Sequence, residues 1–141
     1  MAIINPYLNF QGNTEEAFNF YKSVFGGDFR MLMRFGEVPG MDNTPENVKN
    51  MLMHVSLPVG DTTLMGTDAV EGMGDKLQVG NNIHLSFHSD SREQADNVFN
   101  KLAAGGNVRL AMGDQFWGDY YGQVVDKFGV SWMISHTPVK K

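Results

Sequence analysis

Hydrophobic and polar positions alternate along this chain with two different periods, and the order of the periods is repeated. Leu8–Asn9–Phe10 is an apolar–polar–apolar triplet, the signature of a half-buried strand. A polar turn then leads to Ala17, Phe18, Tyr21 and Phe25, whose spacing is helical. Leu85–Ser86–Phe87 opens a second copy, followed by Ala95, Val98, Phe99 and Leu102. Thr14 and Ser91 stand where an N-cap hydroxyl accepts from free first-turn amides, and Glu15, Glu16 and Glu93 lie near the positive helix end. Each helix runs into a double glycine, Gly26–Gly27 and Gly105–Gly106, and then an arginine, Arg30 and Arg109. The copies are 77 residues apart at the triplets and 79 apart at the arginines, so the second carries two extra residues.

Three strand patterns follow each helix: 29–35, 51–59 and 62–67 in the first half, then 108–112, 117–125 and 129–135 in the second. "PVGD" and "DKFG" supply turns between neighbouring strands. Residues 36–50 form a long polar insertion, and 68–82 a natural linker. Each half therefore predicts strand–helix–strand–strand–strand, an α+β architecture. We expect one domain made of a first module over 1–68, a linker over 69–81, a second module over 82–137 and a tail over 138–141.

Composition narrows the function classes. The 141 residues suffice for a sizeable core, and 42% hydrophobic with 19% charged residues is ordinary for a globular protein. A formal charge of −5, with scattered Lys and Arg, argues against nucleic acid; the only paired positive charge is Lys140–Lys141. No apolar run is long enough for a membrane span, and the first residues lack a signal-peptide pattern. The absence of cysteine excludes disulfides, thiol catalysis and thiolate metal sites, and fits a cytoplasmic protein.

The duplicated βαβββ unit, with "YLNFQGNTEEAFNFYKSVFGG" at the start and "FWGDYYGQVVDKFGVSWMI" at the end, resembles the vicinal oxygen chelate superfamily of glyoxalases, bleomycin-resistance proteins and dioxygenases. It is most similar to the PhnB-like branch, over nearly the whole chain. The resemblance implies two modules whose curved sheets enclose a shared cavity with helices outside, and a homodimer. In metal-dependent members it also implies a divalent ion held by His, Glu or Gln on the first and last strand of each module.

Those ligand positions fall, by the resemblance, on Asn5, Asn82, Met65 and Met133. A neutral amide oxygen suits hard ions that also have carboxylates, and a thioether suits soft ions, so no single metal wants this set. A one-residue slip on any of these strands adds only Asn81. We therefore expect no metal and no cofactor. On the first strand Asn5, Tyr7 and Asn9 should face the cavity while Ile4, Leu8 and Phe10 face the helix; in the second module Asn82, His84, Ser86 and His88 should do so. Val55 and Leu57 flank a pattern that turns His54 the same way. His54 and His84 are either hydrogen-bonded wall residues or ligands of a recruited metal. His88 and His136, at strand ends, are expected to be solvated.

"FWGDYYG", residues 116–122, then falls on the third strand of the second module. Alternation sends Phe116 and Tyr120 to one face and Trp117 and Tyr121 to the other. We expect Trp117 and Tyr121 on the cavity side. Asp119 between them is either a cavity carboxylate or a partner for nearby backbone amides. Asp126 reads as turn chemistry.

There is no G-x-S-x-G, Walker loop or G-x-G-x-x-G. Branch members sometimes carry a ubiquinone-methyltransferase description, but no glycine-rich strand-to-helix loop supports a methyl-donor site here. Our leading expectation is a metal-free pocket for a small, partly apolar or aromatic molecule, lined by Asn5, Tyr7, Asn9, His54, Met65, Asn82, His84, Trp117, Asp119, Tyr121 and Met133. The alternatives are a metal-dependent glyoxalase-type or thiol-transferase enzyme using His54 or His84, and a structural dimer whose cavity is filled by its own side chains.

Overall fold

The alternating segments of the first half pair as a four-stranded sheet in the order β1–β4–β3–β2. Its elements are β1 (Tyr7–Phe10), α1 (Thr14–Phe25), β2 (Met31–Arg34), α2 (Glu46–Lys49), β3 (Leu52–Val59) and β4 (Thr62–Asp68). β1 runs parallel to β4, and the other neighbours are antiparallel. The second half repeats this with β5 (Leu85–His88), α3 (Arg92–Ala103), β6 (Asn107–Asp114), β7 (Tyr120–Val125) and β8 (Ser131–His136), in the order β5–β8–β7–β6. The computed structural model describes residues 2–41, 43–74 and 76–138; Lys140–Lys141 and the rest of the tail beyond 138 lie outside them. By its contacts the chain divides into two compact units, 1–78 and 79–141, each treated by itself below.

In each unit one sheet face is covered by the helix. Ala17, Phe18, Tyr21 and Val24 of α1 are buried, as are Val55, Leu57 and Leu64 of the sheet. Ala95, Val98, Phe99 and Leu102 of α3 are buried with Val124, Trp132 and Ile134. Fully burying each large apolar side chain contributes roughly 1.5–3 kcal/mol, so these two stripes carry most of the stabilisation.

Several local expectations are corrected. Ser91 caps α3, accepting from the Gln94 amide at 3.0 Å. Thr14 does not cap α1; it is the first helical residue, and Asn13 before it makes no side-chain cap. A distant carboxylate does that work instead. Asp68 Oδ1 accepts from the amides of Gly12 (3.1 Å) and Thr14 (3.0 Å) and from the Thr14 hydroxyl (2.6 Å). Its Oδ2 accepts from the Leu52 amide at 2.8 Å. β1 and β5 also start later than the apolar pattern implied, so Ile4, expected against the helix, is 91% exposed, and Ile83 before β5 is 72% exposed. The 36–50 insertion contains a 3-10 turn at Phe35–Glu37 and the short α2.

The alternation is also shifted by bulges. Met33 faces His54 and Arg34 faces Leu52, so Met53 is an extra residue on β3. That extra residue resets the alternation, which lets Leu52 be buried while His54 sits on the helix-free face. β6 carries similar shifts between Val108 and Leu110 and between Leu110 and Gly113.

Each helix is tied to the far edge of its sheet by an arginine–carboxylate pair, with the partners exchanged. In unit one Arg34 of β2 donates to both oxygens of Glu15 on α1, at 2.9 and 2.7 Å. In unit two Arg92 of α3 donates to Asp114 of β6 at 2.6 Å and lies over the Tyr120 ring at 3.9 Å. The Tyr120 hydroxyl donates to Asp96, whose carboxylate pushes the phenol pKa up.

Candidate functional site

A helix covers one face of each sheet, so the chemistry available to a ligand lies on the other. In unit one this face presents Tyr7, Asn9, Met33, His54 and Met65. Tyr7 pairs with Met65 and Asn9 with Thr67 across β1 and β4. The Tyr7 hydroxyl lies 3.0 Å from His54 Nδ1, and the two rings are 5.7 Å apart. Burial pushes the Tyr7 phenol pKa up from its ordinary value. Asn9 lines an open groove of about 450 Å³ with Phe35, Thr67, Met73, Lys76 and Leu77. Asn5 stands apart from this group: its side-chain oxygen accepts from the Thr63 amide at 2.9 Å.

In unit two the helix-free face carries a larger groove. A groove of about 610 Å³ is lined by Trp117, Asp119, Tyr121, Gln123, Met133 and His88, together with Ser86, Leu110, Gln115 and Ser135. Tyr121 reaches the groove by alternation along β7, since Tyr121 pairs with Ser135 and Gln123 with Met133. Trp117 reaches it by another route. It is not on a strand: residues 115–119 form a turn between β6 and β7, held by Gln115 N–H to Asp119 O (2.8 Å) and Gly118 N–H to Gln115 O (3.0 Å). Gly118, at φ +104°, supplies a backbone conformation that other residues rarely adopt. The turn brings the Trp117 ring edge-to-face onto Tyr121 at 5.6 Å and its indole N–H onto Asp119 Oδ2 at 3.1 Å. Phe116 is 97% exposed and lies outside the groove lining, its ring edge-to-face with Trp117 at 5.0 Å, and Tyr120 packs on the helix side.

The polar groups of this groove are joined to one another. Gln123 donates to the Tyr121 hydroxyl at 2.7 Å. His88 lies between two serines, with Ser86 Oγ 3.2 Å from Nε2 and Ser135 Oγ 3.1 Å from Nδ1. Ser86 and His88 were expected on this face and His88 was expected to be solvated; His88 is exposed, and the two serine contacts are what the sequence did not foretell. Sequence reasoning missed Gln123, which period-2 alternation from Tyr121 would have found. His136, also expected to be solvated, is half-buried and donates from Nδ1 to the Ser89 carbonyl at 3.2 Å.

Among the expected pocket residues, Tyr7, His54 and Met65 share one face of unit one, with Asn9 beside them. Trp117, Asp119, Tyr121 and Met133 share one groove of unit two. Asn82 and His84 are exposed and precede β5. The strand pairing also changes how the modules correspond. Met65 faces Tyr7 and Met133 faces Ser86, positions 79 residues apart rather than 77. By that register Asn5 corresponds to His84, Tyr7 to Ser86 and Asn9 to His88. Likewise Val55 faces Gly66 where Gly122 faces Ile134, so His54 stands where Tyr121 stands in the other unit.

A divalent metal does not fit these donors. Re-registered, the family positions hold Asn5, His84, Met65 and Met133, and the Asn5 oxygen is already engaged by a backbone amide. Among the described residues no three His, Asp or Glu side chains converge. A methyl-donor cofactor fits no better. The strand-to-helix amides that such a group would use are those of Gly12 and Thr14, and Asp68 already occupies them.

The two βαβββ units place the chain in the glyoxalase, bleomycin-resistance and dioxygenase fold class. A protein of that class from Burkholderia phytofirmans shares the fold at 17% identity, with TM-score 0.60 over 94% of this chain and 97% of its own. Residues 2–135 match the family model described as 3-demethylubiquinone-9 3-methyltransferase, and the chain belongs to this PhnB-like family. Escherichia coli YjdN is 30% identical, covering 94% of this chain and 93% of its own length. PA1353 of Pseudomonas aeruginosa is 34% identical, with TM-score 0.86 over 97% of this chain and 98% of its own. The PhnB protein of Bacillus cereus is 26% identical, with TM-score 0.77 over 96% and 100%. Among the described residues no helix is long and apolar enough to cross a membrane.

Proposed function

We propose that this protein binds a small, partly aromatic or apolar molecule on the helix-free face of unit two, without a metal. The observation that carries this reading is the assembly of Trp117, Tyr121 and Met133 around one open groove, with Asp119, Gln123 and His88 at its polar positions. Aromatic rings and a thioether give contact area to a planar or apolar body. The few polar groups, held by one another, fix its orientation. Tyr7, Asn9, His54 and Met65 offer a second surface of the same kind on unit one.

The protein has a built-in reporter for the test. Of its two tryptophans, Trp117 is 51% exposed in the groove and Trp132 is 4% exposed in the core. A ligand in the groove should quench or shift the Trp117 emission and leave Trp132 unchanged, and Trp117→Phe should abolish the signal. Aromatic ligands that stabilise the protein without changing Trp117 emission would place binding elsewhere. We also propose that the protein is a cytoplasmic homodimer, a reading supported by the exposed Ile3, Ile4, Val79 and Ile83 before β1 and β5 and by the lack of cysteine. Light scattering at micromolar concentration tests the dimer.

A further inference from the structure

The hairpin of β6 and β7 carries two corners built from the same parts, one on each side of the sheet. On the helix side the Tyr120 ring stands with the carboxylates of Asp96 and Asp114. That corner is filled by a cation from the protein itself: the Arg92 guanidinium lies 3.9 Å over the Tyr120 ring and 2.6 Å from Asp114. On the helix-free side Trp117 and Tyr121 stand edge-to-face with the Asp119 carboxylate beside them. One Asp119 oxygen accepts from the indole N–H, which fixes the carboxylate against the ring. The other accepts from no described residue. Among the described residues, the titratable groups lining this groove are His88, Asp119 and Tyr121, with no Lys or Arg.

We propose that this second corner selects an organic cation: a protonated or quaternary amine attached to a planar or apolar body. The inference rests on the ligand-binding reading above and adds the charge of the ligand. The ring faces of Trp and Tyr attract a cation through their quadrupoles, and Trp does so best. The carboxylate adds a full opposite charge beside the rings, in a groove open enough to admit the ligand from solvent. The apolar body packs on Met133 and Leu110, which line the same groove. A simple metal ion is disfavoured, because the corner offers one carboxylate and rings rather than a shell of donors.

The test uses three planar probes of similar size: N-methylquinolinium (cation), quinoline (neutral at about pH 7.5) and quinoline-2-carboxylate (anion). Each is titrated calorimetrically into the full chain in EDTA. The cation should bind at least about tenfold tighter than quinoline, with the anion weakest, and the preference should shrink with added salt. Asp119→Asn keeps an acceptor for the indole; it should erase the preference while quinoline still binds. Trp117→Leu, which leaves the carboxylate in place, should weaken the cation most. Quinoline binding as tightly as the cation, or a preference that survives in Asp119→Asn, overturns the cation inference and leaves the pocket reading standing. Failure of all three probes to bind, with no change in Trp117 emission, overturns the pocket reading and the inference with it.

Discussion

Thr14 gives both its backbone N–H and its hydroxyl to a single oxygen of Asp68, a residue 54 positions later in the chain. Both residues are buried, at 0% and 4% exposure. The carboxylate thus caps α1, closes the turn after β1 and holds the start of β3 through the Leu52 amide. A hydrogen bond to a charged group contributes about 1.5–3 kcal/mol net, and a buried donor left unpaired costs about 1–3 kcal/mol. Asp68→Ala should therefore lower stability by roughly 3 kcal/mol or more, and Thr14→Val by about 1.5–3 kcal/mol. Urea unfolding measures both, and an unchanged slope would confirm that the native state is what changes. A loss below about 1 kcal/mol in Asp68→Ala would refute the capping role.

The pair Glu15–Arg34 predicts a pH signature. The Arg34 hydrogen bond, outweighing burial, holds the Glu15 carboxyl below its ordinary range. A carboxylate with a depressed folded pKa stabilises the fold above its unfolded pKa, about 4.3 for Glu, and loses that contribution as pH falls through the lower folded value. Both side chains are about a third or more exposed, at 32% and 44%, so solvent screens the pair. At neutral pH Glu15→Gln should cost about 0.5–1 kcal/mol. The gap between wild type and variant should close below about pH 4. A gap that stays constant from neutral pH to the acid limb would show that the ion pair contributes nothing.

Gly66 sets the approach of α1 to its sheet. A methyl group there would lie 2.5 Å and 2.9 Å from two carbons of the Phe18 ring, which is itself fully buried. The ring has no space to yield, so Gly66→Ala should destabilise by about 1–3 kcal/mol through overpacking. The double variant with Phe18→Leu should recover part of the loss, a coupling that a thermal double-mutant cycle reads directly. Additive effects would mean that the clash is relieved elsewhere.

Much of this architecture was legible before any coordinates. The two helical stripes are patterns that burial imposes on a sequence, and they lie where expected apart from Phe25, which is half-buried beside Val24; α1 stops at Gly26, whereas α3 is capped by Ala104, one residue before its glycine pair. What was not legible was set by contacts across long separations. Thr14 had the right chemistry for an N-cap, but a buried carboxylate 54 residues away made a stronger offer. The bulge at Met53 flips the alternation of β3, and no local feature marks it. Alternation assumed Trp117 on the strand with Tyr121; its ring meets Tyr121 from a turn instead, because Gly118 reverses the chain before β7 begins. The correspondence between modules slipped by two residues because the sequence aligns the triplets, whereas the sheet aligns what faces Met65 and Met133.

Asn5 and Asn82, which the sequence alignment pairs and the strand register does not, should behave differently. Asn5 accepts from the Thr63 amide, and Asn82 is exposed before β5. Asn5→Ala should cost about 1 kcal/mol, and Asn82→Ala should be neutral within about 0.5 kcal/mol. Thermal unfolding in EDTA and in zinc or nickel checks this. Equal losses in both, appearing only with metal, would mean that the two act together as ligands.

Under the proposed function, the helix-free groove of unit two holds a partly aromatic small molecule without a metal. The most direct measurement is a thermal-shift screen of small aromatic and aliphatic compounds in EDTA, with each hit repeated on Trp117→Leu and Tyr121→Leu. A ligand that binds only the folded state raises the melting temperature. Aromatic hits should keep their shift in EDTA, lose most or all of it in both variants, and change the Trp117 emission. Hits that vanish in EDTA, or that stabilise both variants as well as wild type, would contradict that reading.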